Sequence, residues 1–76
     1  MDAREVTLEM LKDSGLSARQ AAIAIGKEPG YLSHIIYKGS KPNTVTLAKV
    51  ADVCGFDLLV RNRANEMEML IDPYDD

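Results

Sequence analysis

The amino-acid sequence predicts a mainly α-helical domain in which four short helices are followed by a C-terminal β-hairpin. Up to Gly55, apolar residues recur about every 3.6 positions, which is the period of an amphipathic helix. Capping residues and glycines mark the ends of these segments. After Gly55 the apolar residues occupy alternate positions, which is typical of a strand.

Length and composition limit the class of protein. With 76 residues, 46% of them hydrophobic, the chain can form one domain with a modest core, and domains this small gain stability from dimerisation. No apolar run approaches about 18 residues, so no membrane partner is expected. The N-terminal segment lacks a signal-peptide core, and the lone Cys54 suits a reducing compartment. Both observations indicate the cytoplasm, and a DNA partner would add association with the nucleoid.

The first two helices carry local signals at their ends. Helix 1 is predicted from about Asp2 to Ser14, with Gly15 in the left-handed conformation after it. Helix 2 begins at Ser17, because Ser17 and Gln20 form the S-x-x-Q pattern of a capping box. The apolar stripes comprise Ala3, Val6, Met10 and Leu11 in helix 1, and Ala18, Ala21, Ala22 and Ile25 in helix 2.

Helices 3 and 4 follow two further interruptions of the apolar pattern. Gly26 ends helix 2, because a sharp turn there needs a positive φ. Helix 3 is predicted to begin after Glu28 with Pro29 at its first position, where a missing N–H is tolerated. Helix 4 runs from about Thr44 to Cys54 behind the N-cap Asn43. The residues expected to face the core are Leu32, Ile35, Ile36, Leu47, Val50, Ala51 and Cys54.

Residues 56–62 and 66–72 are predicted to be the strands of a β-hairpin, with turn residues at 62–65 and a loose tail at 74–76. An isolated hairpin is marginally stable in water, so this one must pack on the helices, on a partner, or on both. We expect it to mediate a two-fold dimer. The dimerisation residues are predicted to be Phe56, Leu58, Leu59, Val60, Met67, Met69, Leu70 and Ile71.

The net charge of −3 hides an uneven distribution. Between Ser17 and Lys49 the sequence has five basic residues and one acidic residue, whereas the rest of the chain is acidic. A basic middle part suits a DNA-facing surface, because neutralising phosphates supplies much of the affinity for DNA. Uneven charge is also common in small proteins that bind no nucleic acid.

The segment from Ser17 to Gly39 has the pattern of a helix-turn-helix. The small Ala22 allows helix 3 to cross closely, Gly26 makes the turn, and the aliphatic residues of helix 3 fix the crossing angle. A helix held in this way can project into a DNA major groove about 12 Å wide.

An ordered set of residues in and around this segment matches a known pattern without a gap. The set consists of Leu16, Ser17, Gln20, Ala22, Gly26, Leu32, Ser33, Ile35, Pro42, Thr46, Leu47 and Gly55. From about Val6 to Gly55 the chain therefore resembles the lambda-repressor/Cro-like, or XRE-family, helix-turn-helix domain.

The resemblance implies positions for a DNA-binding site. It places phosphate contacts at Ser17, Arg19, Tyr37, Lys38, Ser40 and Lys41. It places base contacts at Gly30, Tyr31, Ser33 and His34. Members of the family often carry Gln, Ser or Thr where this chain has Pro29 and Gly30, so direct base reading is expected to be thin and DNA shape to contribute. Two alternatives stay open: His34 is an ordinary surface histidine, or this face binds protein instead of DNA.

The predicted function is that of a sequence-specific DNA-binding transcriptional regulator, of the prophage-repressor or antitoxin type. Residues 1–55 would bind double-stranded DNA, with helix 3 at about 29–37 in the major groove, and residues 56–76 would form a homodimer. The alternative is a protein-interaction module, such as an antitoxin whose main partner is a toxin. The sequence has no recognisable pattern of catalytic residues, metal ligands or cofactor-binding loops, so no enzyme, metal site or cofactor is predicted.

Overall fold

Four α-helices precede a two-stranded antiparallel hairpin, which confirms the predicted mainly helical architecture. The computed structural model describes residues 1–74, so the end of the predicted tail, residues 75–76, lies outside the described residues. The elements are α1 (Ala3–Ser14), α2 (Ala18–Ala24), α3 (Tyr31–Tyr37), α4 (Thr44–Cys54), β1 (Leu59–Arg61) and β2 (Glu68–Leu70).

Side chains cap the N-termini of three helices. Asp2, Ser17 and Asn43 each accept a hydrogen bond from the backbone N–H three residues further on, at 2.9–3.0 Å. The Ser17 N–H also donates to Gln20 Oε1 at 2.9 Å, which completes the predicted capping box. Helix α3 differs, because its N-cap is Gly30 and no side chain caps it.

The turn after α2 is built around Gly26, as predicted. Its φ is +81°, a conformation that glycine adopts without steric cost. The Gly26 N–H donates to the Ile23 carbonyl at 3.0 Å, and the Lys27 N–H donates to the Ala22 carbonyl at 2.9 Å. These two bonds satisfy the carbonyls of Ala22 and Ile23 near the end of α2 and turn the chain toward α3.

The predicted start of helix 3 is wrong by two residues. Pro29 and Gly30 form a turn instead, which is closed by a hydrogen bond from the Tyr31 N–H to the Glu28 carbonyl at 3.0 Å. Glycine is a poor helix former, and no side chain extends the helix toward its N-terminus. The first helical residue is therefore Tyr31.

The core lies among the helices. Helix α1 packs on α4, and α2 packs on both α3 and α4. The sequence did not predict that Thr7 would be buried, but it is 1% exposed and its hydroxyl donates to the Ala3 carbonyl at 2.7 Å. The buried apolar cluster consists of Met10, Leu11, Ala21, Ala22, Ile25, Leu32, Val50 and Ala51.

The hairpin is shorter and more exposed than the alternation of apolar residues suggests. Each strand has three residues, with Leu59 opposite Leu70 and Val60 opposite Met69. The strands are shorter than predicted, because the loop between them runs from Asn62 to Met67. A hydrogen bond of 2.8 Å from the Asn62 N–H to the Met67 carbonyl closes this loop. All six strand residues are exposed on both faces of the sheet.

Candidate nucleic-acid interface

Helix α3 has one buried side and one open side. Leu32 is 1% exposed and anchors the inner side in the core. The fully buried Ala21 and Ala22 of α2 leave room for α3 to approach closely. On the outer side His34 is exposed and Tyr37 is 89% exposed. The helix can therefore present side chains to a large partner.

Basic residues lie in α2, in the turn before α3 and directly after α3. Arg19 lies on α2, Lys27 in the turn, and Lys38 and Lys41 directly after α3, and all four are exposed. Lys49 belongs elsewhere, because its Nζ lies 5.9 Å from the centre of the Tyr74 ring in the C-terminal segment. The basic part of the sequence thus contributes four cations to the region of α2 and α3.

The start of α3 and the preceding turn form a shallow depression of about 530 Å³. Sequence reasoning counted Lys27 and Glu28 only as charges, but both line this depression. The carboxylate of Glu28 would repel a DNA phosphate, but it can accept a hydrogen bond from the amino group of a cytosine. The lining residues are Lys27, Glu28, Gly30, Tyr31, His34 and Ile35.

Tyr31, a predicted base contact, is tied to the protein itself. Its hydroxyl lies 3.2 Å from Thr46 Oγ1 on α4, and Lys27 Nζ lies 5.2 Å from the centre of its ring. The side chain is half-buried, as is that of Ser33. Of the predicted base-contact residues, Gly30 and His34 are the exposed ones.

The predicted phosphate contacts at Ser17 and Ser40 are exposed and also serve the fold. The Ser17 oxygen accepts the capping bond from Gln20, which leaves its own hydroxyl hydrogen free to donate. The Ser40 backbone N–H donates to the Ile35 carbonyl at 3.1 Å, and its hydroxyl lies on the surface.

The C-terminal end of α3 meets the beginning of α1. Arg4 Nε donates to the Ile36 carbonyl at 3.0 Å, across 32 residues of sequence. Nearby, the pKa of the Asp2 carboxyl is lowered, mainly by the hydrogen bond from the Glu5 N–H and further by the charges of Lys41 and Arg4. No sequence pattern pointed to Arg4, because nothing local records this long-range contact.

A second concave surface lies between α1, α4 and the segment after α4. This groove of about 380 Å³ includes no residue of α2 or α3, so it is separate from the α3 surface. It is lined mainly by Val6, Met10, Leu47, Ala51, Phe56 and Leu58, together with the carboxylates of Glu9, Asp13 and Asp57.

Several of the predicted dimerisation residues are exposed, and they lie on both faces of the hairpin. Val60, Met67, Met69 and Leu70 are 49–63% exposed. Leu58 and Ile71, at the base of the hairpin, are half-buried and are joined by a backbone hydrogen bond of 2.8 Å. The hairpin is thus attached to the helical part at its base and open beyond it.

Comparisons with protein-family models, with curated proteins and with solved structures found no match for this chain. Among residues 1–74, no helix has the length and apolar character needed to cross a membrane. Nor do three or more His, Cys, Asp or Glu side chains of these residues lie together as metal ligands would.

Proposed function

We propose that the protein is a sequence-specific DNA-binding regulator with a helix-turn-helix formed by α2 and α3. The observation that carries this proposal is the open side of α3. That side follows the Gly26 turn, and four exposed basic residues, Arg19, Lys27, Lys38 and Lys41, lie in α2, in the turn and directly after α3. A short helix with this exposure suits a major groove, and flanking cations suit the phosphates on either side.

The chemistry divides between two kinds of contact. Lys38 and Lys41 would neutralise phosphates, and the Ser17 hydroxyl would donate to another phosphate at the start of α2. His34 and Ser33 would reach base edges. Because these side chains offer few hydrogen bonds, DNA shape would supply part of the sequence preference.

The salt dependence of DNA binding tests this proposal. A gel shift with a pool of randomised duplexes, at about 50 and 200 mM salt, should select a sequence preference for the wild type. Lys38→Ala/Lys41→Ala should weaken binding by about tenfold or more and reduce the salt slope by about two. Lys12→Ala/Arg63→Ala is the matched control, since it removes two exposed charges away from α3. A wild type that selects no sequence, together with a Lys38/Lys41 variant that binds equally well, would refute the DNA-binding role.

The hairpin is proposed to join two such domains about a two-fold axis. Its strands are exposed on both faces, and within residues 1–74 each strand is paired on one edge only. Small domains gain from burying such a surface, and a two-fold dimer would present two copies of α3 to a roughly palindromic site. The two copies would be about 34–36 Å apart if they entered successive major grooves.

Sedimentation equilibrium tests the dimer. A chain ending at Gly55 should be monomeric and bind DNA weakly. Val60→Lys/Met69→Lys should also be monomeric, and because both side chains are exposed this variant keeps the helical core intact. A dimer that survives both changes would exclude the hairpin as the dimer contact.

The groove between α1 and α4 favours a second candidate function, the binding of another protein. Its apolar lining and its three carboxylates, Glu9, Asp13 and Asp57, match a partner segment that is both apolar and basic. A toxin held by an antitoxin would be such a partner. This function predicts a wild type without sequence preference for DNA and with a shallow salt dependence.

A further inference from the structure

We infer that Tyr31 and Arg4 are positioning residues that fix the two ends of α3 and so determine which bases Ser33 and His34 can reach. The inference rests on the proposed DNA-binding function. In this inference Tyr31 orients α3 through a contact within the protein and does not touch DNA.

Helix α3 cannot hold its own orientation. It has seven residues, no side-chain cap, and a sequence of aromatic, β-branched and polar residues with low helix propensity. Helices this short are unstable alone, so tertiary contacts must supply both its stability and its angle. One such contact is Leu32, which is buried near the first turn of the helix.

The N-terminal end of α3 is fixed to α4. The Tyr31 hydroxyl lies 3.2 Å from the hydroxyl of Thr46, which is 4% exposed. A hydrogen bond to a buried hydroxyl is directional and stronger than one at the surface, since water does not compete for it. The position of Thr46 is itself set by the Asn43 cap at the start of α4.

The C-terminal end of α3 is fixed to α1. The bond from Arg4 Nε to the Ile36 carbonyl is part-buried and 3.0 Å long. A guanidinium also interacts favourably with the negative end of a helix dipole. Together with the buried Leu32, these bonds to α4 and α1 hold α3 at three points.

Loss of one anchor should affect base contacts more than phosphate contacts. Hydrogen bonds from Ser33 or His34 to base edges weaken steeply once the helix shifts by a fraction of an ångström to an ångström. Lys38 and Lys41 are flexible point charges that can follow such a shift. The anchors should therefore control sequence discrimination and leave non-specific affinity unchanged.

The experiment compares a duplex selected by the wild type with a scrambled duplex, at two salt concentrations. In Tyr31→Phe, Thr46→Val and Arg4→Gln, the ratio of the two affinities should fall by about fivefold or more. Affinity for the scrambled duplex and the salt slope should not change. Thr46→Ser retains the hydroxyl and should keep the wild-type ratio.

Matched controls separate positioning from general damage. Tyr74→Phe and Arg63→Gln make the same chemical changes at exposed sites away from α3 and should leave the ratio unchanged. Lys41→Gln should weaken binding to both duplexes and reduce the salt slope by about one. Unfolding curves set the assay temperature at which every variant is folded.

Three results would overturn the inference. An unchanged affinity ratio in both Tyr31→Phe and Thr46→Val would show that the bond between Tyr31 and Thr46 does not contribute to sequence discrimination. A loss in Tyr31→Phe without a loss in Thr46→Val would mean that Tyr31 touches DNA directly. A reduced salt slope in Arg4→Gln would make Arg4 a phosphate contact. A wild type without any sequence preference would instead refute the proposed function, and this inference with it.

Discussion

The helical part and the hairpin differ in how much buried apolar surface stabilises them. Every buried residue of the core cluster lies between Met10 and Ala51, in the four helices or, for Ile25, directly after α2. The hairpin has three-residue strands whose residues are all exposed. Burial of apolar surface is the main source of folding free energy. The helical part therefore stabilises itself, whereas the hairpin depends on what covers it.

The two regions also differ in whether the backbone N–H and C=O groups at helix ends and strand edges have hydrogen-bond partners. Three of the helices have a side-chain cap, and α1 and α4 are followed directly by Gly15 and Gly55, whose φ is +76° and +82°. The hairpin leaves the outer edge of each strand without a partner among residues 1–74. Unpaired edges are surfaces on which another strand can pair. The difference indicates that the helices form the stable part of the fold, whereas the hairpin is available for contact with another chain.

A pair of leucine substitutions gives the largest expected difference between the regions. Leu32 is 1% exposed and Leu70 is 63% exposed, so the same change removes very different amounts of packing. Leu32→Ala should cost about 2–5 kcal/mol of unfolding free energy, a large part of the total for a small domain. Leu70→Ala should cost less than about 0.5 kcal/mol in the monomer. Urea unfolding followed by circular dichroism measures both, and equal costs would show that the hairpin is part of the folding unit.

A pair of asparagine substitutions gives an intermediate difference. Asn43 caps α4, and Asn62 Oδ1 accepts from the Ala64 N–H at 2.8 Å in the hairpin turn. Asn43→Ala should cost about 1 kcal/mol, as is typical of a lost helix cap. Asn62→Ala should change global stability by less than about 0.5 kcal/mol, because a hairpin with little burial opens locally before the core unfolds. If Asn62→Ala proves the costlier change in urea, the hairpin unfolds together with the helices and not locally.

The smallest expected effect concerns the start of α1. The pKa of Asp2 lies below its ordinary value of 3.8, chiefly because its carboxylate accepts the Glu5 N–H. Its ionised form therefore stabilises the fold above the unfolded pKa, and that contribution is lost as the pH falls through the folded pKa. Asn keeps the capping bond without titrating, so Asp2→Asn should lose less stability than the wild type between neutral pH and about pH 3. Urea midpoints at both pH values test this, and parallel losses would contradict it.

The ends of the helices were predicted correctly from the sequence where a residue determines the backbone hydrogen bonds or conformation within a few positions of itself. Ser17, Asn43 and Gly26 act within a few residues, and their roles were predicted and confirmed. The start of α3 was misplaced because Pro29 suits both a first helical turn and a β-turn, and only the Gly30 that follows decides between them. Strand length was overestimated, since alternation reports the face of a residue and not its pairing partner.

The exposed residues of the candidate site could be predicted from the sequence, but the hydrogen bonds that hold α3 in place could not. The exposed His34, Lys38 and Lys41 follow from the position of α3 in the sequence. The bonds that hold α3 join residues 15 and 32 positions apart, and such contacts form only when the helices pack. The role of Arg4 and the partner of Tyr31 therefore become visible only in three dimensions.

The open hairpin has a consequence for how long the protein survives in a cell. Segments with little buried surface open readily, and proteases cut the open form. In a monomer the hairpin would be cleaved in proportion to how often it is open, whereas a partner chain lying on Val60 and Met69 would shield it. The lifetime of the chain would then rise with its own concentration, so that a high level of the protein persists and a low level decays faster.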